Sequence, residues 1–166
     1  MAVLQHPVFG KLTPDATGGV CRGGTRPLAT REVAVDLTLM GPAPAAKELL
    51  DRAAPFIARL ATFDTEARAG LEADQEEDDS AVVLYLEHHI EELEPGAVRA
   101  IFGKPKEEVD MAAFLAAVYL RRVGLHPDDA DRFAVFDYTI SDEETHYVLS
   151  VAFDVNGEIV AVDMES

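Results

Sequence analysis

Residues 84–93 read Leu-Tyr-Leu-Glu-His-His-Ile-Glu-Glu-Leu, and no other short stretch places so many proton-transferring or metal-ligating groups side by side. On a helix, positions three and four apart share a face. His88 then points with Glu91 and Glu92, and His89 with Tyr85, Glu92 and Leu93. Imidazole nitrogen and carboxylate oxygen both suit zinc or iron, so His88 and Glu92 are the candidate metal ligands. A pair of ligands makes a poor site, and a third would have to come from His6, His126, His146 or another distant residue. The metalloprotease pattern His-Glu-x-x-His is absent. The plainer expectation is structural. His89 borders the apolar stripe of the helix, and His88 sits near its C-terminus, where the dipole and neighbouring glutamates favour positive charge. As a surface patch, His88, Glu91 and Glu92 are the expected partner contact.

Other candidates are thinner. The run Asp74-Gln75-Glu76-Glu77-Asp78-Asp79 has carboxylates for calcium, but lacks the alternation, central glycine and terminal glutamate of a calcium-binding loop. Gly18, Gly19, Gly23 and Gly24 surround Cys21 without the Gly-Lys-Ser/Thr of a phosphate loop. Arg22 and Arg26 could meet an anion there, and a mobile loop is the simpler expectation. Cys21 has no histidine near it in sequence to activate it as a nucleophile. No Gly-x-Ser-x-Gly elbow is present. No catalytic residue, cofactor or cofactor-binding residue is therefore expected.

Cys21 is the only cysteine, which removes intrachain disulfides and cysteine-based zinc sites and fits a reducing cytoplasm. No basic segment followed by an apolar core opens the chain, so no signal peptide is expected. No apolar run approaches the roughly twenty residues of a membrane span. The net charge of −17 is uneven. Residues 1–60 carry seven Lys+Arg against five Asp+Glu, and residues 61–166 carry seven against twenty-six, a net of −19. Such a surface repels nucleic acid and anionic lipid, and it speeds encounter with a basic protein. Absence of tryptophan and of a basic, aromatic-studded patch points the same way.

These side chains need a scaffold. A chain of 166 residues with 48% hydrophobic content can form one domain that buries roughly two-thirds of its unfolded surface. Val8–Leu12 reads as a short strand. Val20–Arg22, between glycine pairs, reads as a loop or weak edge strand. Arg31–Met40 alternates Val33, Val35, Leu37 and Leu39 with polar or small residues, the period of a half-buried strand. Pro42 and Pro44 suit a first helical turn, and Leu49, Leu50, Ala53, Phe56, Ile57 and Leu60 follow at helical spacing. Pro55 predicts a kink or break. Asp64 is the expected cap of a second helix through Ala67 and Leu71. Glu72–Asp79 reads as a solvated linker or a charged first turn.

Ser80–Leu93 is the next helix, apolar all round in its first half and so expected to be buried there. Pro95-Gly96 stops it. A further helix is expected from about Glu107 to Val123, ending at Gly124. The period then changes to two. Phe133–Ile140, Tyr147–Asp154 and Glu158–Met164 are three strands, with Asn156-Gly157 as a hairpin turn. The expectation is an α+β fold in a single domain, 1–166. N-terminal strands (about 8–40) and a C-terminal three-stranded meander (about 133–164) form a mainly antiparallel sheet. A central helical block (about 43–123) packs on one face.

Three stretches carry a family likeness: His6-Pro7-Val8-Phe9-Gly10-Lys11-Leu12, Tyr85-Leu86-Glu87-His88-His89, and the C-terminal run. That run comprises Phe136–Ile140, Tyr147–Asp154 and Met164-Glu165-Ser166. Together they resemble a bacterial family known only as the domain of unknown function numbered two thousand and four. The resemblance is strongest in the last thirty or so residues and loosest between Glu94 and Asp131. It implies a bacterial cytoplasmic α+β protein and attaches no chemistry to any residue.

The expected function is a non-enzymatic protein-interaction module, of the immunity type that neutralises a basic protein partner. No nucleic acid and no membrane are expected. A small-molecule-sensing domain is the alternative, and a metal-dependent enzyme using His88 and Glu92 ranks below it.

Overall fold

The alternation in residues 31–40 is reproduced as a strand whose Val33, Val35, Leu37 and Leu39 are all buried. The computed structural model describes residues 3–17, 19–40 and 46–166. A small hairpin, β1 (Leu4–His6) and β2 (Gly10–Leu12), opens the chain. Next come β3 (Val20–Leu28) and β4 (Arg31–Leu39), joined by a two-residue turn. The helices are α1 (Ala46–Ala58), α2 (Leu60–Asp74), α3 (Ala81–Glu92), α4 (Pro95–Phe102) and α5 (Met111–Ala117), with a short 3-10 turn at Lys106–Glu108. Then follow β5 (Tyr119–Leu125), β6 (Ala134–Thr139), β7 (Val148–Phe153) and β8 (Ile159–Glu165).

Six strands form one sheet in the order β3-β4-β5-β6-β7-β8. Every pair is antiparallel except β4 with β5, which the whole helical block connects as a parallel crossover. The fold is α+β, with the helices on one face. Phe56 of α1 and Phe63 of α2 pack against Phe153 of β7, tilted and edge-on respectively, and Phe56 also meets Phe133. The Tyr138 hydroxyl crosses to α2 and donates to Asp64 at 2.6 Å. Strand alternation sends the intervening side chains to the helix-free face.

Several local expectations are corrected. Residues 119–123 are not the end of a long helix. The helical run stops at Ala117, and Tyr119–Leu125 is β5, with Gly124 inside the strand. Pairing with β4 and β6 on both sides outweighs the local helical spacing. Val20–Arg22 belongs to a nine-residue edge strand, and Val8–Leu12 is largely the turn and second strand of a hairpin. Helix α1 runs through Pro55, and the break comes one turn later at Arg59. Asp64 lies inside α2 rather than capping it, where it accepts hydrogen bonds from Tyr138 and Arg68. Glu72–Asp74 is the last turn of α2, so only residues 75–79 form a connection. Pro95 stops α3 and opens α4. The expected first turn at Pro42 and Pro44, like Gly18, lies outside the described residues.

The meander is as expected. Asp154 N–H donates to the Glu158 carbonyl, Gly157 N–H returns to the Asp154 carbonyl, and Gly157 adopts φ +80°. That backbone favours glycine, and a Cβ there would also meet Phe63 at 3.3 Å. No helix among the described residues is long and apolar enough to cross a membrane.

Candidate interaction surface

Helix α3 is held at both ends by side chains that the sequence brings from elsewhere. At its start, Ser80 accepts from the Val83 N–H and donates to Asp74 of α2, whose carboxylate also accepts from the Val82 N–H. A hydroxyl cap and a carboxylate thus satisfy donors that a helix N-terminus leaves free. At its other end, His89 is 2% exposed. Its Nδ1–H donates to the Tyr85 carbonyl at 2.7 Å, and its Nε2 accepts the Thr145 hydroxyl at 2.7 Å. Thr145 in turn accepts from the Tyr147 N–H, and the Tyr85 hydroxyl donates to the Tyr147 carbonyl. The result is a closed circuit of four hydrogen bonds tying α3 to the turn before β7. It fixes the tautomer of His89, and burial lowers its pKa from 6.5, so the ring is neutral.

His88 has no such circuit. It is half-buried, 5.0 Å from the Tyr147 ring and 5.1 Å from His89, both edge-on. His146 stacks on Tyr147 at 4.8 Å. His6 is elsewhere, donating to Asp51 while its Nδ1 accepts the Val8 N–H, which pins the β1–β2 hairpin to α1. His126 lies on the helix-free sheet face beside Gly124. His6 and His126 are thus far from His88 in the fold, His146 shares only the Tyr147 ring with it, and among the described residues no three His, Cys, Asp or Glu are grouped to hold a metal ion. Cys21 is exposed on edge strand β3, opposite Thr38.

Glu91 and Glu92 are exposed, as a contact patch requires. They belong to a larger surface. Residues 69–98 contain ten Asp+Glu and no Lys or Arg. Apart from Asp74, all of these carboxylates are exposed, and among the described residues none of the exposed ones makes an ion pair. Leu84 interrupts them as an apolar side chain 57% exposed. This corrects the expectation that the first half of α3 is buried all round. The helix packs on the sheet through Ala81, Val82, Tyr85 and His89 and leaves its other side to solvent.

The helix-free face of the sheet forms a second polar region that strand pairing alone creates. Arg122 of β5 pairs with Asp36 of β4 and lies across from Asp137 of β6. Ser150 of β7, 1% exposed, places its hydroxyl 2.6 Å from Asp137 and 3.2 Å from Glu165 of β8. One hydroxyl hydrogen cannot serve two carboxylates fully. Ser150 donates to Asp137, the nearer acceptor, and so serves Glu165 only partly. Burial and, to a lesser degree, the Glu165 charge push the Asp137 carboxyl above its usual range, against the pull of Ser150 and Arg122. Beside it is a shallow trough of about 310 Å³, lined by Arg122, His126, Arg132, Asp137 and Glu165 among others. This face is not apparent from the sequence, because the helical spacing of residues 111–118 extends the expected helix to Val123, across most of β5. In the Tyr-Leu-Arg-Arg-Val run at 119–123, Tyr119 and Val123 favour a strand but Leu120, Arg121 and Arg122 favour a helix, so the run carries no decisive local signal.

Comparison with known protein families, characterised proteins and solved structures gives no match to this chain.

Proposed function

We propose that this protein is a non-enzymatic interaction module that binds a basic protein partner, in the manner of an immunity protein covering its target. The observation that carries this reading is the stretch 69–98, where nine exposed carboxylates surround α3 without a compensating Lys or Arg. Such a field accelerates encounter with a cationic protein and repels nucleic acid and anionic membranes. His88, Glu91 and Glu92 lie within it, at the end that His89 and Thr145 hold rigid. A firmly held helix end loses little freedom on binding. A single exposed cysteine, Cys21, fits a reducing cytoplasm.

The test is affinity purification from native cells at low and high salt, followed by reconstitution with the retained protein. The expected result is a basic protein, held at low salt and released steeply as salt rises. Retention of nothing at low salt, or of a neutral partner indifferent to salt, overturns the reading.

A second reading is small-molecule sensing. The trough beside Asp137 favours it, since Arg132 and the Asp137–Ser150–Glu165 group converge there. Thermal-shift screening of small zwitterions and organic acids, with loss of the response in Arg132→Ala, would support this reading instead.

A further inference from the structure

We propose that the outer edge of β8 takes up an extended cationic segment of another protein as a seventh strand of the sheet. This rests on the basic-partner reading and names where such a partner docks.

Strand β8 closes the sheet and pairs only with β7, from Val148 opposite Glu165 to Phe153 opposite Ile159. Among the described residues, no hydrogen bond outside that ladder reaches the main chain of Ile159–Glu165. An edge strand of this length presents a row of unpaired donors and acceptors, which proteins ordinarily blunt with Lys, Pro or a covering element. The opposite edge is blunted in that way. Strand β3 contains Pro27 and Gly23-Gly24, and its Arg22 and Arg26 bind the main chain of the β1–β2 hairpin region. Strand β8 contains no Pro, Gly, Lys or Arg; its ladder is irregular only at Val160, between the Ala152–Ala161 and Phe153–Ile159 pairs, which leaves Ala161–Glu165 as the regular open edge.

The side chains flanking this edge select the occupant. Asp163 and Glu165 stand two apart on the helix-free face and are half exposed. Arg132 reaches each only at 3.7 Å, well beyond the ~2.8 Å of a charge-assisted hydrogen bond, so it neutralises them incompletely. At the other end Ile159 and Val160 are 37% and 50% exposed. An added strand with Lys or Arg at alternate positions opposite Asp163 and Glu165, and an apolar residue near Val160, matches both features. A second copy of the chain is disfavoured, because each copy carries −17. Main-chain pairing would supply the binding and the alternating charges the specificity, the general logic of strand addition.

The experiment titrates the isotope-labelled full chain at low salt with a ten-residue peptide of alternating Lys and Val. A second peptide has the same sequence with every backbone nitrogen methylated, which keeps the charge and removes the donors. The expected result is binding of the first peptide, slowed amide exchange within Ile159–Glu165, and at least roughly tenfold weaker binding of the methylated form. The variant Asp163→Lys with Glu165→Lys, its fold checked by circular dichroism, should weaken binding similarly. Equal binding of both peptides, or perturbation confined to residues 72–94, overturns the edge site and leaves the basic-partner reading standing. Binding of neither peptide overturns the edge site, while the salt-dependent purification judges the wider reading separately. Self-association through β8 without peptide would make the occupant a second copy and overturn the proposal.

Discussion

His89 and Thr145, fifty-six residues apart, meet at 2.7 Å with the hydroxyl donating to Nε2, because Nδ1–H is already committed to the Tyr85 carbonyl. Removing that hydroxyl leaves a buried imidazole nitrogen without a donor and the Tyr147 N–H without an acceptor. Thr145→Val should therefore lower stability by about 1–3 kcal/mol at neutral pH. Urea unfolding, with midpoint and slope both fitted, measures it. A loss within a few tenths of a kcal/mol would show that the circuit does not hold the helix end.

The same geometry sets an acid response. The folded-state pKa of His89 is lowered by burial, so the unfolded chain binds a proton that the folded one resists. Stability from this group is complete above the unfolded value of about 6.5 and is lost as pH falls toward the folded value. The slope cannot exceed about 1.4 kcal/mol per pH unit for one proton. Melting curves between neutral and mildly acidic pH should show the decline, and His89→Gln should flatten it while lowering stability at neutral pH.

Asp137 carries the opposite sign. Its carboxyl pKa is raised above 3.8, so the folded state holds its proton longer than the unfolded state does. This group's contribution is therefore complete below 3.8 and is lost as pH rises through the folded value. Asp137→Asn removes the burden of a half-buried charge and keeps the shape. Relative to wild type it should look better at pH 7 than at pH 3, by a few tenths to about 1 kcal/mol. Stability measured for both proteins at both pH values gives the difference, and a reversed sign would refute the assignment.

Gly157→Ala tests the hairpin. Alanine is strained at φ +80°, and its Cβ would press on Phe63 at 3.3 Å. A cost of about 1–2 kcal/mol is expected. Chemical denaturation reads it, and Asn156→Ala serves as a control that touches neither the φ value nor the ring.

Much of the fold is legible from one-dimensional patterns. Alternation marks β4 and β6–β8, Asn156-Gly157 marks the last turn, and Ser80 before an apolar run marks the start of α3. These signals are local, because each depends on side chains within a few residues of one another. Residues 111–125 show where local signals fail. Met111, Phe114, Leu115 and Val118 keep helical spacing, and nothing nearby says that the next residue begins a strand.

The sequence by itself determined the α+β class, the meander and the acidic stretch around α3. It placed His88 and His89 at the end of a helix that emerges among carboxylates. Only the tertiary structure decided that Tyr119–Leu125 is β5, since that depends on β4, eighty-six residues away at the Asp36–Arg122 pair. Once β5 is inserted, Arg122, Asp137, Ser150 and Glu165 share one face, and β8 is left with an open edge. The tertiary structure also separated the two histidines, burying His89 in a hydrogen-bonded circuit and leaving His88 against Tyr147 at the surface. The reason is common to all of these. Hydrogen bonds and burial are satisfied by whichever segments meet in space, and sequence spacing constrains only the segments that are already neighbours along the chain.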